Sequence, residues 1–325
     1  YASKFITDKK NEAISICIDL DADNKIINWT FHLTIVKCAL VIDNILFEAL
    51  STRKSKTRIT SKILKPIKEY IVELDKIIEI STELRKNQLS RGKIEIEKCI
   101  NNIESLDEFF VHNPVDYSKE YFEPLNKKDC QTFLSPILFE ADSIWFRHAN
   151  KFNIKTASYI SQDLEYINVS ELIKNSELIN NDIELNDEGT LTVRQLIELT
   201  DNDYKRKTLH KLLMNVFREN EVVLTSNKLD KNESEKEYVS PWTLPSYDFP
   251  NLINQYIIFN MIINGKKAYK NSADNFDIMK KDSWENVKWD IFSASVSKNL
   301  DLILNSFIID KINDYKNKAS NIDQI

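Results

Sequence analysis

Asp19, Asp21 and Asp23 have the alternating spacing with which an oxygen-lined calcium loop begins. Such a loop needs Gly at its sixth position and Glu at its twelfth. Asn24 and Thr30 stand there instead, so the acids read as a solvated hairpin turn. The four histidines, His32, His112, His148 and His210, lie far apart, and none has the H-x-x-x-H partner of a helical zinc pair. Arg147–His148 and Arg206 with His210 carry the residue types of a metal-independent ribonuclease, but no motif surrounds either pair. His148 sits beside Trp145 on an apolar helical face and reads as a hydrogen-bonded core histidine. Two basic runs remain: Lys54, Lys56, Arg58, Lys62 and Lys65, then Arg85, Lys86, Arg91 and Lys93. Each is either a solvated face or the wall of a phosphate-contacting groove. In SPWTLPSYDFPNL, Trp242, Tyr247 and Phe249 interleave with Pro241, Pro245 and Pro250. That pattern suits a base-stacking platform or a hydrophobic staple at a helix start.

Composition narrows the chemistry further. The chain has 325 residues but only 3 Gly, against roughly twenty at average usage. Phosphate-cradling Gly-rich loops and nucleophile elbows need clustered glycines and are excluded. A net charge of -6 argues against coating nucleic acid by bulk charge, although a local basic channel is compatible with it. Cys17, Cys38, Cys99 and Cys130 are scattered without a C-x-x-C pair, as expected for free thiols in a reducing intracellular compartment. No apolar run reaches the ~18 residues of a membrane span. The chain opens Tyr-Ala-Ser without an initiator Met, which suggests a fragment or processed product. The abundance of Ile, Asn and Lys looks like an AT-rich coding bias.

These residues need elements to position them. Residues 12–21 and 25–37 alternate apolar and polar as half-buried strands do, joined by Ala22-Asp23-Asn24 as a hairpin turn. Helical periodicity follows at 41–50, 61–88, 129–152, 192–200, 204–218, 248–263 and 284–316, with a strand at 221–225. Residues 107–128 are irregular, and 228–237 form a charged loop. The expectation is one partial domain over 1–325, with a strand hairpin at 1–37 and a mainly helical remainder. The fold class is α+β, a mixed or antiparallel sheet packed by many helices.

Four segments in order tie these features together: AISICIDLDADNKIINWTFHLTIVKCALVIDNILFEAL (13–50), LRKNQLSRGKIEIE (84–97), CQTFLSPILFEADSIWFRHANKFNIKTASYISQ (130–162) and EYVSPWTLPSYDFPNLINQYIIFNMIING (237–265). Together they resemble the catalytic RNB domain of the ribonuclease II family, and Gly92 falls on the glycine of the second motif. The resemblance implies a deep RNA channel and processive 3′-to-5′ hydrolysis of single-stranded RNA with magnesium. It nominates Arg85, Arg91 and Lys93 as phosphate contacts, with Trp242 and Tyr247 as stacking residues.

The departures from the family pattern matter as much. The metal-holding aspartates of the family belong before the first matching strand, where this chain offers only Asp8, so the N-terminal part of the domain is expected to be absent. Several carboxylates are needed to hold two cations. The arginines that follow Ser-Pro in the family are replaced after Ser240-Pro241 by Trp-Thr-Leu-Pro. Ser135 stands where the family has Glu, and Ile160 where it has Arg. The leading expectation is therefore an RNA-binding or scaffolding relative without hydrolytic activity, with no catalytic or metal-binding residues of its own. The alternatives are a structural subunit of a ribosome-like assembly and an active exoribonuclease with upstream aspartates. DFPNLINQ looks closest to the fungal mitochondrial branch, which would imply the mitochondrial matrix and a degradosome helicase as partner.

Overall fold

In the computed structural model of the chain, the structure describes residues 9–53, 62–90, 130–160, 167–168, 190–191, 221–225, 238–245, 248–271, 279–281 and 290–322. β1 (Lys10–Leu20) and β2 (Ile26–Lys37) form the expected antiparallel hairpin, with Ile14 opposite Leu33 and Ile18 opposite Trp29. The turn is built by Asp21, whose Oδ1 accepts from the backbone N–H of Asp23 (2.9 Å) and of Lys25 (2.8 Å). Asn24 supplies the left-handed residue, at φ 58°, a conformation Asn tolerates better than most side chains. Asp19 accepts from Asn28 Nδ2. The turn's own donors thus take up Asp21 and Asp19, which explains the alternating aspartates without a cation.

Asp43 caps α1 (Asn44–Ser51), accepting from Leu46 N–H at 2.7 Å. The predicted helix at 61–88 resolves into a 3₁₀ turn, Lys65–Tyr70, with Pro66 near its start, and α2 (Ile71–Ser90). α3 (Cys130–Lys151) and α4 (Phe249–Asn271) fall where helical spacing placed them. The long apolar stretch near the C-terminus breaks into α5 (Ala294–Ile303) and α6 (Ser306–Ile322). Asn305 causes the break, because its Oδ1 accepts from Ile308 N–H and starts a new helix.

The sheets are small. β3 (Thr156–Ile160) lies between β6 (Val222–Thr225) and β7 (Tyr238–Val239), both antiparallel to it. β3 and β7 interrupt a region expected to be mainly helical outside 221–225. They are too short for periodicity to show, and their pairing, Tyr159 opposite Val239 and Ile160 opposite Tyr238, joins residues far apart in the chain. β4 (Ile167–Asn168) pairs with β5 (Thr190–Leu191). The chain divides into two compact units. One holds Tyr1–Lys86, Lys127–Ile160 and Glu221–Ile325; the other holds Asn87–Asn126 and Ser161–Asn220. The expected loop at 228–237 and the expected helices at 192–200 and 204–218 lie outside the described residues.

The main core joins the hairpin to the helices. Trp29 and Phe31, two apart on one face of β2, pack with Ala141, Ile144, Trp145 and Ala149 of α3 and with Ile253, Ile257, Ile258 and Met261 of α4. The outer edge of β2 is covered by 279–281, where Phe31 N–H donates to Met279 O and Lys281 N–H to Trp29 O. A smaller cluster, Leu50, Leu64, Ile67 and Ile71, holds α1 against the start of α2.

Candidate functional site

The end of the β6–β3–β7 sheet, residues 240–245 and the start of α4 come together beside α3. Thr156 and Ser158 are two apart on β3 and therefore share a face. Their hydroxyls meet those of Thr225 and Ser240, with Thr156–Thr225 at 2.6 Å, Ser158–Ser240 at 2.6 Å, Ser158–Thr225 at 2.9 Å and Thr156–Ser240 at 3.0 Å. All four are buried. Such a knot forms because a hydroxyl both donates and accepts, so the group satisfies itself without water.

Side chains of α4 fix the next stretch. Asn254, fully buried, donates from Nδ2 to Ala157 O (2.7 Å) and Pro241 O (2.9 Å), and its Oδ1 accepts from Ala157 N–H at 3.3 Å. It serves β3 as a neighbouring strand would. Asn251 Oδ1 accepts from Leu244 N–H, and Asp248 Oδ1 caps the helix by accepting from Asn251 N–H. On the other side, buried Asp142 accepts from Trp242 N–H (3.0 Å) and from the Thr243 hydroxyl. Tyr159 donates its phenol proton to Asp248 Oδ2. Lys316 of α6 donates to the Tyr159 phenol oxygen at 3.3 Å, with its ammonium 4.3 Å from the ring centroid.

The predicted site residues fare differently. Trp242 is 4% exposed; its indole N–H donates to Ala141 O and its ring packs 5.7 Å from Phe31. It is a core residue rather than an open stacking platform, because the chain after Pro241 turns inward toward α3. Phe249 packs against the same core. Arg85 is also buried, on the α2 face that carries Leu84 and Gln88. An open face does hold Lys86, which pairs with Glu83, and Lys62 and Lys65 are exposed. Arg91, Lys93 and Tyr247 lie outside the described residues, as do Gly92, Lys54, Lys56 and Arg58. His148 is a core histidine: its Nδ1 accepts from Trp29 Nε1–H at 3.1 Å within a cage of Phe31, Trp145 and Phe152. Accepting at Nδ1 requires that nitrogen to be unprotonated.

Asp142, Tyr159, Asp248, Asn251, Asn254 and Lys316 escaped the sequence reading. Asn251 and Asn254, three apart at a helix start, were a visible signal, since polar residues at that spacing share one face. Nothing local marks Lys316 or the hydroxyl knot.

Residues 3–264 match the RNB domain. The chain belongs to the ribonuclease II family. RNB domains bind RNA, and no described helix is long and apolar enough to cross a membrane. No curated relative matches the chain. Three of the four RNB segments read from the sequence meet among the described residues: the first meets the third at Trp29–His148 and the third meets the fourth at Asp142–Trp242. Ahead of the second segment on α2, the Ser81 hydroxyl donates to Phe133 O of α3. The magnesium of the family does not fit the carboxylates described here. Asp142 and Asp248 are turned to protein donors, and no three acids, histidines or cysteines gather as a metal group among the described residues.

Proposed function

We propose that this chain is an RNB relative that binds single-stranded RNA, or holds it within an RNA–protein assembly, without hydrolysing it. One observation carries the reading. The residues directly after Ser240-Pro241 serve the fold, with Trp242 and Thr243 bonded to Asp142 and Ala141 and no guanidinium in the segment. Stabilising a transferring phosphoryl group calls for cations aimed at the developing charge, and this stretch supplies core packing instead. Asp142 and Asp248 support the same reading because their oxygens are occupied by protein donors.

The proposed setting is the mitochondrial matrix, with a helicase or ribosomal partner. It rests on the likeness of DFPNLINQ to the fungal mitochondrial branch and on the composition. The test incubates the purified protein with a 5′-labelled unstructured RNA, with and without magnesium. The expected result is retarded migration of intact RNA in both conditions. Progressive shortening from the 3′ end in magnesium would sink the non-hydrolytic reading.

A further inference from the structure

We infer that the outward face of α6 is a contact surface for single-stranded RNA, with Phe307 and Tyr315 stacking bases and Lys311 and Lys318 meeting phosphates. The inference rests on the RNA-binding reading above and adds a surface to it. α6 spans Ser306–Ile322, whereas the family match ends at residue 264.

One face of the helix is already committed. Ile309 enters the main core. Asn313 clamps the helix to the edge of β6: its Oδ1 accepts from Val222 N–H and its Nδ2 donates to Val222 O, both at 2.9 Å. At 3.6 residues per turn these two lie about 200° and 240° round the axis from Phe307. Lys318, Lys311 and Tyr315 lie about 20°, 40° and 80° from it, on the side turned away from the core. Phe307 and Tyr315 are 63% and 71% exposed, and both lysines are exposed as well. Two rings and two ammonium groups therefore share one open stripe.

The stripe interleaves rings and cations. Lys311 Nζ lies 4.5 Å from the Phe307 ring centroid, and Lys318 Nζ lies 6.0 Å from that of Tyr315. Neither lysine pairs with a carboxylate among the described residues. Sequence-tolerant binding of single strands uses this combination, aromatic faces for the bases and cations for the backbone. The rings stand eight residues apart, about 12 Å along the helix, so each takes its own base, with Lys311 midway. A lysine resting on one face of a ring leaves the other face for a base and keeps the cation beside it. Asp310 and Asp314 are exposed too, but they gather on one flank, about 60° and 20° back from Phe307. The strand is thereby steered to the lysine flank. A lipid surface or an apolar partner groove fits less well, because the acids repel anionic lipid and the lysines interrupt the apolar stripe such a groove takes up.

The experiment measures affinity for oligouridylate against salt concentration, using the full chain as wild type and as three variants, with a thermal melt and a sedimentation run of each. The double variant Phe307→Ala/Tyr315→Ala is expected to bind about tenfold more weakly with the salt slope intact, as loss of stacking requires. In Lys311→Gln/Lys318→Gln the slope of log affinity on log salt is expected to become shallower by about 1.4, two phosphate contacts on a single strand. Asp314→Asn is expected to bind about twofold more tightly. All the changed side chains are exposed, so the melts are expected to stay close to that of wild type. Unchanged affinity in the aromatic variant, or an unchanged slope in the lysine variant, overturns the assignment while the RNA-binding reading stands. So does a wild-type dimer that the aromatic variant dissociates, which would give the stripe to a second copy of the chain. Absence of oligouridylate binding by wild type overturns both.

Discussion

Trp242 shows how the same residue type serves opposite ends. An aromatic between prolines, next to a motif expected to face RNA, suits base stacking, yet this indole is buried and its N–H is spent on Ala141 O. Replacing it by Leu removes the ring and leaves a partly filled space. The expected cost is about 2–4 kcal/mol of stability, read as a lower denaturant midpoint, with RNA affinity changed less than about twofold. A stacking residue would show the reverse, with stability kept and affinity lost. His148 follows the same logic: a buried imidazole needs a partner, and Trp29 supplies it from the hairpin.

Single polar side chains on α4 do the work of a strand. Asn254 meets both the N–H and the C=O of Ala157 and also takes Pro241 O. The Asn254→Leu variant keeps a similar volume but leaves those buried backbone groups without their partner. Each such group costs about 1–3 kcal/mol. We expect Asn254→Leu to destabilise by at least ~2 kcal/mol in urea unfolding, and to speed amide exchange at Ala157 and Leu244 more than in the β1–β2 hairpin. Equal acceleration in both places would mean that Asn254 supports the whole unit rather than this corner. α5 and α6 make the complementary case, because Asn305 divides one apolar stretch into two helices and so lets α6 turn its Asn313 face toward β6.

The folded unit extends past the family match. Leu300, Leu304 and Ile309 belong to the same core cluster as Trp29 and Trp145, although they lie beyond residue 264. Burial of three aliphatic side chains contributes about 1.5–3 kcal/mol each, comparable to the net stability of many domains. Removing everything after residue 264 is therefore expected to give protein without a cooperative thermal transition, as calorimetry would show. A truncated chain that melts as sharply as the full one would mean that α5 and α6 are accessory.

Local sequence determined what local physics controls. The alternation in 12–37 specified the hairpin, the three- and four-residue spacing specified α2, α3 and α4, and four ordered segments specified the family. Tertiary structure alone decided where those elements meet. Thr156, Thr225 and Ser240 are ordinary polar residues in the chain, and they become a buried knot only when strands 69 and 84 positions apart pair. Trp242 has the same composition-based promise whether it faces solvent or core, and the turn of the backbone toward Asp142 settles it. Lys316 belongs to the site only because Asn313 fixes its helix against β6. Burial and long-range pairing depend on contacts between segments distant in the chain, and periodicity within one segment carries no record of them.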